Sequence, residues 1–162
     1  MPETVEPVVE DPRWEEAGIP LVAERAARAA LAEAGRDPDL HEVGLLLCDD
    51  AKMTELNGSF RGKAGPTNVL SWPAFSGEVP VPPGEPGEGP LFLGDIALGY
   101  ETCLREAGEA GIPLADHAAH LVVHGVLHLL GHDHAADAEA EAMEGIETKV
   151  LASMGVANPY SA

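Results

Sequence analysis

The chain has 162 residues, of which 45% are hydrophobic and 23% charged, a size and composition that fit one soluble globular domain. Its formal charge of −19 at pH 7 disfavours a broad basic surface for nucleic acid, because Lys and Arg normally supply the contacts to phosphate. No apolar run approaches the roughly 20 residues of a membrane span and no signal peptide is recognisable, so we expect a cytoplasmic protein without a membrane partner.

The first segments predict an edge strand followed by an amphipathic helix. Residues 4–9 are a short apolar segment that contains Pro7, and proline confines a strand to the edge of a sheet because it cannot donate a ladder hydrogen bond. Residues 18–35 carry apolar side chains at helical spacing, with Pro20 near the start and Gly35 as the stop.

The next segments predict a buried strand and a short helix. Residues 41–50 form an apolar run that is too short for most helices, and Cys48 within it is expected to be a buried core residue. Residues 51–57 have helical character, with Asp49 or Asp50 as the N-terminal cap. The two cysteines of the chain lie far apart, so neither a disulfide framework nor a thiolate zinc site is indicated.

A stretch rich in turn formers interrupts the regular elements in the middle of the chain. Residues 57–67 predict a loop, and residues 68–75 predict a strand that ends at Pro73. Residues 76–90 are rich in Pro, Gly and Glu, and we expect a mobile surface connection that cannot pack a core. Residues 91–99 return to strand character.

The last third of the chain predicts three helices, each followed by glycine, at residues 100–111, 113–131 and 135–155. No internal repeat or domain boundary is visible. We therefore expect a single compact α+β domain over residues 1–162, with a small mixed four-stranded sheet packed against about five helices.

The segment HGVLHLLGHDH, residues 124–134, concentrates four of the seven histidines of the chain. His124 and His128 are four residues apart, so a helix projects both from one face. Gly131 can adopt the left-handed conformation that ends a helix, which would let His134 approach the same ion from the side. Three histidines without a fourth protein ligand are typical of catalytic rather than structural zinc, so the pattern predicts one zinc ion with an open coordination position.

The same histidine spacing occurs in the metzincin protease motif H-E-x-x-H-x-x-G-x-x-H, but Gly125 occupies the position of the catalytic glutamate. Peptide cleavage needs that general base, whereas phosphodiester cleavage needs neutralisation of phosphoryl charge, which arginine provides. From Leu56 to Gly77 the sequence has no acidic residue but contains Arg61 and Lys63. We therefore predict Arg61 as the catalytic arginine and interpret Gly125 as favouring a phosphodiester substrate.

The motifs LNGSFRGKAGPTNVLSWP (residues 56–73), LGDI (93–96) and HLVVHGVLHLLGHDH (120–134) resemble those of the YbeY family of bacterial rRNA maturation endoribonucleases. The resemblance implies a zinc-dependent, single-strand-specific endoribonuclease that matures the 3′ end of 16S ribosomal RNA and contributes to ribosome quality control. It implies ribosomal RNA, the small ribosomal subunit and ribosome-associated proteins as partners, but not DNA. Its zinc ligands fall on His124, His128 and His134, and its functional arginine on Arg61.

Four further residues are candidates for substrate contacts or for support of the ligands, namely Lys63, Ser71, His120 and Asp133. Asp133 could orient a histidine or cap the last helix. Asn68 stands where family members usually have aspartate, which puts any carboxylate role at that position in doubt. Two alternatives remain open: a non-catalytic ribosome assembly factor in which the metal only stabilises the fold, and a metzincin-like peptidase.

Overall fold

Four strands and six α-helices make up the described parts of the computed structural model, which cover residues 3–76, 78–80, 82, 89–132 and 137–160, with Phe60 and Asp137 described by backbone alone. The elements in chain order are β1 (Val5–Val9), α1 (Pro12–Glu16), α2 (Ile19–Glu33), β2 (His41–Cys48), α3 (Asp50–Arg61), β3 (Val69–Pro73), β4 (Leu91–Gly99), α4 (Tyr100–Ala110), α5 (Leu114–Leu129) and α6 (Asp137–Ser153). The five-residue helix α1 is the one helix beyond the predicted number.

The four strands form one mixed sheet in the order β1-β2-β4-β3. The pairs β1–β2 and β2–β4 are parallel, whereas β3 runs antiparallel to β4. The α+β class and the mixed four-stranded sheet are therefore as predicted, and β1, which contains Pro7, lies at an edge of the sheet.

One face of strand β2 is buried and the other is half-buried, which agrees with its apolar sequence. Val43, Leu45 and Leu47 belong to the main core, to which helices α2 and α5 also contribute. Leu46 and Cys48 alternate with them and pack in a second cluster with Met53 of helix α3. Burial raises the pKa of the Cys48 thiol to about 12, so this cysteine is the inert core residue that the sequence predicts.

Helix α3 is longer than predicted, because residues 57–61 continue the helix instead of forming a loop. Asn57 is only 4% exposed, and its side-chain amide donates a hydrogen bond to the carbonyl of Gly65 at 3.0 Å. This tertiary contact outweighs the weak helix propensity of an Asn-Gly-Ser sequence. The helix ends where Gly62 takes a φ of 65° and the amide of Lys63 donates to the Asn57 carbonyl.

The Pro/Gly/Glu-rich segment contributes to the core at one point, which corrects the expectation that it cannot do so. Val79 is 4% exposed and packs in the main cluster. The Arg36 guanidinium donates hydrogen bonds to the carbonyls of Val79 and Pro80 at 2.9 and 3.0 Å. Residues 77, 81 and 83–88 lie outside the described residues, so the predicted mobility of the segment stays a prediction. None of the helices in the described ranges is long and apolar enough to cross a membrane.

Replacing Asp49 with alanine should destabilise the protein by about 1 kcal/mol, because Asp49 Oδ1 accepts the backbone hydrogen bond from Lys52 at 2.9 Å that caps helix α3. Urea denaturation followed by circular dichroism measures the change. Glu55→Ala on the exposed face of the same helix is the matched control and should stay within about 0.5 kcal/mol of the parent protein. Equal losses for the two variants would contradict the capping role.

Candidate active site

His124 and His128 lie one turn apart in the last part of helix α5, as their spacing predicts. The opposite side of the helix packs into the core through Val122 and Val126, whereas the two histidines are half-buried. The helix ends at Leu129, and Gly131 has a φ of 99°. The predicted positive φ at Gly131 is confirmed.

A buried carboxylate orients His124. Glu147 of helix α6 is completely buried, and its Oε2 lies 3.0 Å from Nδ1 of His124. Its Oε1 accepts a hydrogen bond from the hydroxyl of Tyr160 and lies 3.4 Å from Nε2 of His120. Burial alone would raise the pKa of Glu147, but hydrogen bonds from His120, His124 and Tyr160 outweigh it and lower the pKa to about 2. The carboxylate is therefore ionised at neutral pH.

Glu147 was not predicted as a site residue, although the pattern of helix α6 contains a signal for it. Met143, Val150 and Leu151 are buried on the core-facing side of this helix, and Glu147 lies among them at helical spacing. A carboxylate in an apolar stripe indicates a buried charge with specific partners.

The ring of His128 is oriented by a different group. Oγ of Ser71, on strand β3, lies 2.5 Å from Nδ1 of His128. Both histidines therefore have Nδ1 in contact with a protein oxygen, and the nitrogen that each would present to a metal is Nε2. Zinc-binding histidines characteristically direct their second ring nitrogen to a carboxylate, a carbonyl or another oxygen, so the donor set fits a zinc site.

The third predicted ligand, His134, and the neighbouring Asp133 lie outside the described residues. Within the ranges that the structure does describe, no group of three His, Cys, Asp or Glu side chains is placed to hold a metal ion. The complete ligand set therefore stays a prediction, based on two positioned histidines and on the spacing of the third.

Arg61 lies in the same cleft as the two histidines, although more than sixty residues separate them in sequence. The cleft has a volume of about 360 Å³, and its lining includes Arg61, Ser71, His124 and His128. Arg61 is exposed and forms no hydrogen bond or ion pair with another described residue. Lys63 is also exposed but does not line this cleft. The arrangement can accommodate an anion between a guanidinium and two imidazoles.

Asn68 also lines this cleft, and its side chain contacts a carboxylate from another element. Its amide donates a hydrogen bond to Oε1 of Glu106, on helix α4, at 3.0 Å. The same oxygen lies 2.8 Å from Nε2 of His117. A carboxylate is therefore adjacent to position 68 in this chain, although residue 68 itself is an amide.

Gly125, which replaces the metzincin glutamate, is buried against the sheet. A Cβ atom at this position would lie 2.8 Å from Cδ1 and 3.1 Å from Cγ1 of Ile96 on strand β4. Close packing of helix α5 on the sheet therefore favours glycine here, independently of the reaction. The absence of glutamate at position 125 excludes the general base of the metzincins, but it does not by itself determine the class of substrate.

The chain is similar to known proteins over nearly its whole length. A family model described as Endoribonuclease YbeY matches residues 10–155. A protein of that name from Ruegeria pomeroyi is 50% identical over 164 aligned residues, which cover 98% of each chain. Its namesake from Paracoccus denitrificans is 51% identical over 161 residues, which cover 99% of this chain and 91% of the relative.

The fold is also similar to a solved structure. The solution structure of TM1509 from Thermotoga maritima matches with a TM-score of 0.57 and covers 98% of this chain and 99% of that chain. The two sequences are 21% identical, so this likeness supports the architecture and not a function.

Proposed function

Since the chain belongs to the YbeY endoribonuclease family, as its motifs predict, we propose that it is a single-strand-specific endoribonuclease. The observation that carries the proposal is the cleft that Arg61 shares with His124 and His128. A guanidinium beside two imidazoles suits a phosphodiester, whose transition state gathers negative charge on the phosphoryl oxygens.

The proposed cofactor is one zinc ion held by His124, His128 and His134. When bound, zinc supplies Lewis acidity that activates water near neutral pH. Arg61 binds the phosphoryl oxygens and neutralises their charge. With Nε2 of each ring as the ligand atom, Nδ1 would carry the proton and donate it to Glu147 from His124 and to Ser71 from His128, which would hold both rings in one tautomer and one orientation.

The proposed cellular role is maturation of the 3′ end of 16S ribosomal RNA in the cytoplasm, with a contribution to ribosome quality control. The net charge of −19 opposes indiscriminate binding to RNA, so we infer that ribosome-associated proteins and the small ribosomal subunit deliver the substrate. Accumulation of precursor 16S RNA in cells that carry only His124→Ala would support this role. Normal mature 16S RNA in those cells would contradict it.

The substrate class is tested with purified, zinc-loaded protein on single-stranded RNA, duplex RNA, single-stranded DNA and casein. We expect cleavage of single-stranded RNA alone, loss of cleavage on chelation and recovery when zinc is returned. Casein cleavage would instead support the peptidase alternative, which lacks a base at Gly125.

The same preparations distinguish a catalytic metal from a structural one. A structural metal contributes its binding energy to folding, so chelation would unfold the protein. We expect the chelated protein to keep its helical circular dichroism, because the core of this chain is built from apolar contacts between the sheet and helices α2 and α5. Unfolding on chelation, together with no RNA cleavage by the zinc-loaded protein, would favour the non-catalytic assembly factor with a structural metal.

A further inference from the structure

The carboxylate of Glu147 serves different groups with its two oxygens. Oε2 contacts Nδ1 of His124, whereas Oε1 contacts the Tyr160 hydroxyl and Nε2 of His120. A completely buried carboxylate is stable only when both oxygens have partners. The contacts at Oε1 therefore determine whether Oε2 stays directed at His124.

Tyr160 reaches this carboxylate from the segment that follows helix α6. Its backbone amide donates to Oδ1 of Asn158 at 2.8 Å, and the hydroxyl of Thr148 on helix α6 lies 3.4 Å from the same oxygen. The Tyr160 ring packs edge-on against His120, with a centroid distance of 5.4 Å. These contacts fold residues 158–160 back onto helices α5 and α6.

Burial alone does not explain the position of Tyr160. The residue is 44% exposed, although its hydroxyl lies against a buried charge. A cavity of about 150 Å³ adjoins the contact and is lined by His124, Met143, Glu147 and Tyr160, among others. Among the described residues, loss of the phenol hydroxyl would leave Oε1 with the longer contact to His120, and the carboxylate could turn into this cavity.

We propose that Tyr160 and His120 are positioning residues for the site of a divalent cation such as zinc. They fix Glu147, and Glu147 holds the His124 ring so that Nε2 is presented to the metal. The inference rests on the metal site of the proposed function. It adds a role for the segment after helix α6 that the histidine motif does not contain. Neither residue is proposed to touch the substrate.

The test compares Tyr160→Phe with Tyr100→Phe, because these are the two tyrosines of the chain. Tyr100 packs against Trp14 and Arg13 and does not line the cavity beside Glu147 in the described part of the chain, so its variant is a matched control. Zinc affinity is measured by competition with a chromophoric chelator. We expect about tenfold weaker zinc binding for Tyr160→Phe, the lower end of the effect of removing a group that supports a metal ligand, and no change for Tyr100→Phe.

Two further measurements separate positioning from a general loss of structure. The metal-free Tyr160→Phe protein should melt below the parent, because a buried carboxylate loses a hydrogen bond, but it should keep the parental circular dichroism at the assay temperature. The visible spectrum of the cobalt-substituted variant should differ from that of the parent. His120→Gln should weaken zinc binding in the same direction. RNA cleavage by Tyr160→Phe should recover at saturating zinc, since the arginine and the cleft are unchanged.

The outcomes keep this inference distinct from the proposed function. If the parent binds zinc and cleaves RNA while Tyr160→Phe binds zinc with parental affinity, the positioning role is wrong and the function stands. Equal weakening by Tyr100→Phe would also overturn the positioning role. A parent protein that binds no zinc would overturn both.

Discussion

Alanine at His124 and alanine at Arg61 should each abolish measurable cleavage of single-stranded RNA, but only the His124 substitution should release the metal ion. His124→Ala removes one of the three proposed ligands and leaves Glu147 buried without its imidazole partner. Arg61→Ala leaves the ligand set intact and removes the cation that lines the shared cleft. Loss of one preorganised charge-stabilising donor typically costs about 10²–10³-fold in kcat.

The measurement pairs single-turnover cleavage with the zinc content of each dialysed variant. Lys63→Ala is the matched control for Arg61→Ala, because Lys63 is an exposed cation in the same acid-free segment that does not line the cleft. Its rate should stay within a few-fold of the parent rate. Arg61→Lys should recover only part of the lost rate, since an ammonium ion cannot form the bidentate contact of a guanidinium. Unchanged cleavage by Arg61→Ala would remove the arginine from the mechanism.

The local features of the site could be predicted from the sequence because they depend on short-range geometry. A spacing of four places His124 and His128 on one helical face, and Gly131 ends that helix by its positive φ. The burial of strand β2, complete on one face and partial on the other, follows from its apolar run. The absence of acids around Arg61 marked it as the candidate cation, and the fold brings it into the cleft of the two histidines.

The features that were missed depend on contacts between one segment and another, whether near or far in the chain. Helix α3 extends to Arg61 because Asn57 is tied to Gly65, a contact that propensity does not contain. Val79 is buried in the core despite the composition of its surroundings. Glu147 becomes a partner of His124 only when helix α6 packs beside helix α5. Composition and periodicity describe each segment alone and cannot report these pairings.

Restoring the protease glutamate with Gly125→Glu should prevent stable folding rather than create a peptidase. A Cβ atom at position 125 would lie 2.8 Å from Cδ1 of Ile96, and a carboxylate beyond it would enter the core without a cation. Overpacking alone costs typically about 1–3 kcal/mol, and an unpaired buried charge adds to it. Thermal denaturation of the expressed variant measures whether it folds, and a casein assay measures whether it cleaves peptide bonds. A folded Gly125→Glu protein that cleaves casein would contradict both.

The smaller change Gly125→Ala tests the packing argument in a protein that should still fold. We expect it to destabilise the protein by about 1–3 kcal/mol, because the added methyl group must displace the buried Ile96 side chain. Gly108→Ala, at an exposed position of helix α4 with no neighbouring atom within 4 Å of its added Cβ, should instead stabilise by up to about 1 kcal/mol. Ile96→Val removes the nearest clashing methyl, so Gly125→Ala should cost less in that background than in the parent protein. An equal cost in both backgrounds would show that Ile96 is not the reason for glycine at position 125.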